Sequence, residues 1–139
     1  MRKIIIGHKD ELTEHQVEGA LTALRILVTD KPDPLGNANH RYEIIGFSTN
    51  TNPSKLQHDN VNSIGILFQN GTIPENGVNG ITQEALLAIC ADRLRSFQDG
   101  PFASPDNQEA LNHIEKSIEC LHRRTRNRLA RGIEGQHIV

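Results

Sequence analysis

The sequence predicts an α+β fold: a small N-terminal β-sheet, antiparallel or mixed, with one helix, followed by a C-terminal antiparallel helical hairpin. Three observations predict it. Short apolar or alternating runs at residues 3–6, 42–48 and 63–69 fall only in the first half of the chain. One helical phase opens at Thr13. Two longer helical phases, separated by Asp99-Gly100-Pro101, fill the second half. Sheet and hairpin in succession make a single domain of residues 1–139, β-rich over 1–80 and helical over 81–139. A chain of 139 residues is long enough to bury about two-thirds of its unfolded surface.

The first strand is read from Lys3 to Ile6, stopped by Gly7. A helix follows. Thr13 and Gln16 make a capping box, Leu12 and Val17 fit a hydrophobic staple, and Val17, Ala20, Leu21, Leu24, Leu27 and Val28 continue at helical spacing. Pro32, Pro34, Gly36, Asn37 and Asn39 end it in a loop. The second strand carries Ile44, Ile45 and Phe47. Residues 49–60 are polar and form a loop, long enough to be mobile or to gain order with a ligand. In the third strand Ile64, Ile66 and Phe68 alternate with Ser63, Gly65, Leu67 and Gln69. Asn70-Gly71 is a hairpin signal, so Thr72-Ile73 is expected to return alongside before Pro74 ends the pairing.

Gly77 and Gly80 bracket the passage into the helical hairpin, for which Thr82 is the N-cap. Its first helix places Leu86, Cys90, Leu94 and Phe97 on one stripe, and its second Leu111, Ile114, Ile118, Leu121 and Thr125. The second helix is well marked at its start by Ser104, Pro105 and Asp106.

Aromatic residues make up only 4% of the chain, with no Trp, so the core must be aliphatic. Two of the four Phe, Phe97 and Phe102, sit in or beside the hairpin turn, where a base could stack on them. The two cysteines, Cys90 and Cys120, fall at core-like positions and read as buried, reduced thiols. No apolar run suits a signal peptide or a membrane span, which leaves the Asn70-Gly71-Thr72 sequon without a glycosylation role.

The net charge is -2, which argues against a general nucleic-acid binder, and the helical half carries as many acids as bases. Its bases are concentrated at one end. Arg123, Arg124, Arg126, Arg128 and Arg131 follow one another with no acid before Glu134. Such a run has two readings. It could be a solvated helix end whose cations complement the dipole. Alternatively Arg124 and Arg128, four apart on one face and three and seven residues beyond Leu121, form a fork for paired phosphates.

Enzyme chemistry is not written in the chain. His8, His15, His113 and His122 lack carboxylate or Cys partners at metal-ligand spacing, so no metal and no cofactor are expected. There is no Gly-rich phosphate loop, no nucleophile elbow, and no pair of His-x-Ser/Thr elements of the kind a two-histidine phosphodiesterase carries.

The succession Glu84-Ala85-Leu86-Leu87-Ala88-Ile89, Asp92-Arg93-Leu94, Phe97-Gln98, Gly100-Pro101-Phe102-Ala103, Asn107, Ala110-Leu111, Arg124-Thr125, Arg128 and Arg131-Gly132-Ile133-Glu134-Gly135 resembles a helical hairpin shared by two phage families. These are the Thoeris anti-defence proteins of the first type and the anti-CBASS sponges. Gly77-Val78-Asn79-Gly80-Ile81 and the β-rich first half are similar to the Thoeris type. The resemblance covers about the last 60 residues. It implies a phage protein acting in the bacterial cytoplasm that binds and sequesters a cyclic nucleotide immune signal without degrading it. In the Thoeris type that signal is a glyco-cyclic ADP-ribose isomer, and in the other family a cyclic oligonucleotide; a nucleic-acid-binding role for the arginine run is the alternative. The resemblance further implies dimers assembled into hexamers.

It also carries ligand contacts onto Phe97, Asn107, Arg124 and Arg128. Their chemistry suits such contacts, since Phe97 can stack on adenine, Asn107 can bond a base or ribose edge, and the arginines can clamp phosphates. Each has a plainer reading. Phe97 could be hairpin core, Asn107 a polar first-turn residue, and the arginines partners of acids on another subunit. Asn107 and Arg124 stand 17 residues apart on one helix, roughly 25 Å at 1.5 Å per residue. A single pocket holding all four must therefore be built across two subunits, which a two-fold dimer does twice over.

Overall fold

The structure, a computed structural model, describes residues 2–5, 9–17 and 23–131. The α+β class is as expected. The chain divides into two compact units, the first ending at Phe68 and the second beginning at Gln69.

The first unit is a five-stranded antiparallel meander: β1 (Arg2–Ile5), β2 (Lys9–Leu12), β3 (Arg25–Val28), β4 (Arg41–Ile45) and β5 (Ser63–Leu67), in that spatial order. Side chains alternate between faces, so register decides what is buried. Ile26, Ile44 and Ile64 lie side by side across β3, β4 and β5, and Val28, Tyr42 and Ile66 form the neighbouring row on the same face. Val28 is 1% exposed, and the Tyr42 ring meets Phe68 edge-on at 5.7 Å. Burying a side chain of that size contributes about 1.5–3 kcal/mol.

Two strands depart from the sequence reading. Arg25–Val28 is strand where the helix from Thr13 is expected to end. Thr13 itself lies in a turn closed by the Gln16 N–H to its carbonyl at 3.0 Å, while Ala20 and Leu21 fall outside the described residues. Leu24, Leu27 and Val28 fit a helical stripe, but Arg-Ile-Leu-Val is also a compact apolar run with β-branched members. Ladders to β2 and β4 on both sides outweigh a weak helical preference. Lys9–Leu12 is a strand that the sequence does not announce, because Lys-Asp-Glu-Leu has no strand signature. Partners on both sides hold it as β2, and Arg25 Nε donates to Glu11 Oε1 at 2.7 Å.

The long connections are built from local hydrogen bonds. Between β3 and β4, Asp30 accepts the His40 N–H at 2.9 Å, and Asn39, 7% exposed, donates to the Asp30 carbonyl at 2.9 Å. After β4, Gly46 sits at φ 91°, where a Cβ would collide with the Ala23 carbonyl. The polar loop beyond it is a chain of turns. Its ends are tied by Thr49 N–H to the Val61 carbonyl at 2.8 Å, and Asn52 and Asp59 side chains accept from Ser54 and Leu56 within it.

In the second unit the expected return strand at Thr72-Ile73 is replaced by a one-turn helix, α1 (Ile73–Asn76). Gly71 at φ 85° turns the chain, and Pro74 in the first turn costs no helical bond because its missing N–H would have no partner there. Then come α2 (Gln83–Gln98) and α3 (Pro105–Ala130), packed as the hairpin. Both expected caps are present. Thr82 Oγ1 accepts the Ala85 N–H at 3.2 Å and Ser104 Oγ that of Asn107 at 3.1 Å. Arg95 reaches Glu115 across the pair at 3.1 Å.

The α3 stripe is as expected, with Leu111 buried and Ile114, Ile118, Leu121 and Thr125 half-buried. On α2 Leu86, Leu94 and Phe97 are half-buried as expected, but the fully buried position is Ala91 and not Cys90. Ala91 is buried completely, with Leu87, Leu94 and Gln98 around it, and Cys90 is exposed. Cys120 is exposed too, being displaced from the seam by Leu121. Both thiols are free, and the expectation that they are buried is corrected here. A small residue at 91 lets the two helices approach closely; the larger Cys is the one left outside.

Candidate phosphate and base site on the hairpin

α3 is ten residues longer than α2 (26 against 16), so its last turns run past the start of α2 by about 15 Å. The arginine run lies on that overhang. Cys120, Arg123, Arg124, Asn127, Arg128 and Arg131 line a hollow of about 370 Å³. Spacings of three and four bring them to one face of the helix. Arg124 is exposed and makes no hydrogen bond or ion pair among the described residues; Arg128 is half-buried. Arg123 points a guanidinium nitrogen at the Cys120 sulfur, 3.4 Å away. Four guanidinium groups around one hollow, with no carboxylate among its lining residues, provide forked donors for an anion carrying more than one phosphate.

A larger hollow of about 690 Å³ lies in the sheet unit, lined by Glu43, Ile45, Gly46, Phe47, Ser48, Asn62 and Ser63. Its one charged side chain is a carboxylate. That sign repels phosphate, so size does not make it the better site.

The opposite end of the hairpin holds Phe97 and Asn107. Phe97 is half-buried, and the Arg93 guanidinium lies 5.4 Å from its ring centroid. Phe102, 71% exposed, meets it edge-on at 6.2 Å. Asn107 donates its side-chain amide to the Phe102 carbonyl at 3.1 Å, and its backbone N–H is taken by Ser104. The side-chain nitrogen thus serves the turn and leaves the acceptor Oδ1 for a ligand. Gln98 fixes the same turn by gripping both backbone groups of Ser104.

The four residues singled out in the sequence therefore fall into two groups. Phe97 and Asn107 share the turn end, and Arg124 and Arg128 share the overhang. The sequence reading does not place Arg123, Asn127, Arg131 or Cys120 in the hollow, although extending the helical phase from Arg124 and Arg128 reaches all of them. Nothing in the sequence marks Gln98 as the brace of the turn. Among the described residues no group of His, Cys, Asp and Glu is arranged to hold a metal ion, and no helix is long and apolar enough to cross a membrane.

Residues 59–126 match the family model of the Acb2/Tad1 hairpin domain. Over 70 residues the chain is 39% identical to Thoeris anti-defense 1 of Bacillus phage SBSphiJ7. That stretch is 50% of this chain and 49% of that protein, so the chain spans about half the length of the curated relative it matches. The resemblance to the Thoeris anti-defence type, read from the residues of the hairpin, is borne out.

Proposed function

From a chain that carries the Acb2/Tad1 hairpin domain, we propose an anti-defence sponge: a protein that binds a cyclic nucleotide immune signal inside the phage's host and withholds it from its effector. The ligand is a glyco-cyclic ADP-ribose isomer of the Thoeris type, held intact. The observation that carries this reading is the arginine-lined hollow on the α3 overhang. A diphosphate bridge is the part of such a ligand that four guanidinium groups recognise best.

Binding without turnover accords with the side chains available. The hollow offers guanidinium groups, an amide and one thiol, with no carboxylate or imidazole to serve as a general base. Adenine then stacks at the turn end, on Phe97, with Asn107 bonding an edge of base or ribose. Because turn and overhang lie at opposite ends of α3, each pocket is completed by a partner subunit, in a two-fold dimer and in hexamers built from such dimers.

Calorimetry with cyclic ADP-ribose isomers tests the reading, followed by heat release and mass analysis of the bound molecule. Tight binding and recovery of the unchanged isomer are expected. A shorter or linear product would indicate catalysis, and absence of binding would remove the sponge. The shared hairpin favours one second reading, a sponge for CBASS cyclic di- or trinucleotides at a separate site. Competition between the two ligand classes separates them: a second site predicts additive binding.

A further inference from the structure

Asn-Gly pairs are chemically labile, and the loop from Gln69 to Thr82 holds three of them: Asn70-Gly71, Asn76-Gly77 and Asn79-Gly80. The loop is closed by amide side chains. Asn79 grips Asn70 from both sides, its Oδ1 accepting the Asn70 N–H at 2.9 Å and its Nδ2 donating to the Asn70 carbonyl at 2.7 Å. Gln69 in turn accepts the Asn79 N–H at 2.9 Å and donates to the Gly77 carbonyl at 2.9 Å. These bonds treat the three asparagines differently. The Asn79 amide is held at both ends. Asn76 is the last residue of α1, with its Nδ2 on the Thr72 carbonyl at 3.1 Å. Asn70 is exposed, and its own side-chain amide makes no hydrogen bond among the described residues. Nor does the N–H of Gly71, the atom that must attack.

We propose that Asn70 is a site of spontaneous deamidation, and that its conversion releases Asn79 to follow. The Gly71 backbone nitrogen loses its proton and bonds to Cγ of Asn70, and the side-chain nitrogen leaves as ammonia. Water then opens the resulting succinimide at either carbonyl. The sum is asparagine plus water giving aspartate or isoaspartate plus ammonia, with one negative charge added and no oxidant or cofactor required. Glycine at 71 admits the attack because it carries no Cβ, and its φ of 85° is one that other residues rarely adopt. Isoaspartate lengthens the backbone between the N–H and C=O of residue 70 by one bond. One Asn79 amide can no longer meet both groups, so Asn79 loses the grip that protects it. The consequence is an ordered sequence of two modifications in the loop that leads into α2.

The test is peptide mapping of the full chain held in mildly alkaline buffer, with isoaspartate detected by enzymatic methylation. In the folded protein Asn70 converts several-fold sooner than Asn76 or Asn79, and Asn79 follows after a lag. In denaturant the three Asn-Gly pairs, now differing only in sequence, convert at similar rates. Asn70→Gln keeps the backbone groups that Asn79 grips but forms the cyclic intermediate far more slowly; in that variant Asn79 stays intact over the same period. Conversion of Asn76 or Asn79 ahead of Asn70 in folded protein overturns the proposal. So does Asn79 converting at the wild-type rate in Asn70→Gln, which would show that the two events are not linked.

Discussion

The side-chain amide of Gln98 holds Ser104 by both of its backbone groups, accepting the N–H at 2.9 Å and donating to the carbonyl at 3.1 Å. The five residues between them thereby form a closed turn, and Ser104 is set to cap α3. Truncation leaves the part-buried Ser104 N–H unpaired and takes from the Ser104 carbonyl one of its two donors, the other being the Gln108 N–H at 3.1 Å. Gln98→Ala is expected to lower stability by about 1–3 kcal/mol, read as a fall in the denaturant midpoint. Gln98→Glu keeps the accepted bond but sets a carboxylate against the Ser104 carbonyl, so it should rescue little. Full rescue by Glu would mean that the donated bond is idle.

Burial grades the hairpin seam. Leu111 is 5% exposed and Ile114 only half-buried, so Leu111→Ala should cost about 2–5 kcal/mol and Ile114→Ala distinctly less. Equilibrium unfolding of the two variants checks the order. Equal losses would place Ile114 deeper than the packing of α2 against α3 puts it.

The same seam shows what a sequence can and cannot convey. Caps at Thr82 and Ser104 and the α3 stripe are legible because capping and helical phase are local properties. The exchange of Cys90 for Ala91 in the α2 stripe is not, since choosing between them depends on how closely α3 approaches. In the sheet, β4 and β5 announce themselves by apolar content. β2 is strand by virtue of its neighbours, and Leu27 and Val28 fit two periodicities until their partners decide between them. At the site, Arg124 and Arg128 can be read from spacing, as can Arg93 beside Phe97, whereas Gln98 bracing Ser104 across the turn requires the fold.

Asp30 gives a pH signature. Burial raises its pKa, but hydrogen bonds from the His40 and Arg41 N–H groups and the Asn39 amide outweigh it, so the carboxyl titrates below its ordinary value of 3.8. A lowered folded pKa means the stabilisation is complete above the unfolded value and is lost as pH falls through the folded one. Asp30→Asn should therefore melt earlier than wild type at neutral pH, and the gap should close under strongly acidic conditions. A gap unchanged at low pH would show that the carboxylate charge is not what stabilises the β3–β4 connection.

The arginines should separate in their effect on folding. Arg124 is exposed, so Arg124→Ala should leave melting near wild type. Arg128 is half-buried and packs its stem as well as presenting its charge, so Arg128→Ala should lower the melting temperature measurably. Both should weaken ligand binding, each lost charge-assisted contact costing about 1.5–3 kcal/mol, or roughly ten- to a hundredfold in affinity. Titration of both variants alongside thermal melting tests this. Wild-type affinity in Arg124→Ala would remove that residue from the clamp.

The division of the site between the two ends of α3 gives the sharpest test of a pocket shared by subunits. One variant carries Arg124→Ala and Arg128→Ala and keeps a native turn; the other carries Phe97→Ala and Asn107→Ala and keeps native arginines. In a two-fold dimer of either variant with itself, every pocket lacks half of its contacts, and neither should bind. In a dimer of one with the other, the native turn of the first faces the native arginines of the second, and one pocket of the two is whole. Mixing with subunit exchange should thus restore binding to a fraction of sites set by the proportion of mixed dimers. A pocket confined to one subunit predicts the opposite, because every chain in the mixture is defective. No recovery after exchange has been verified by mass spectrometry would falsify the shared pocket and return Arg123 through Arg131 to the role of a solvated helix end.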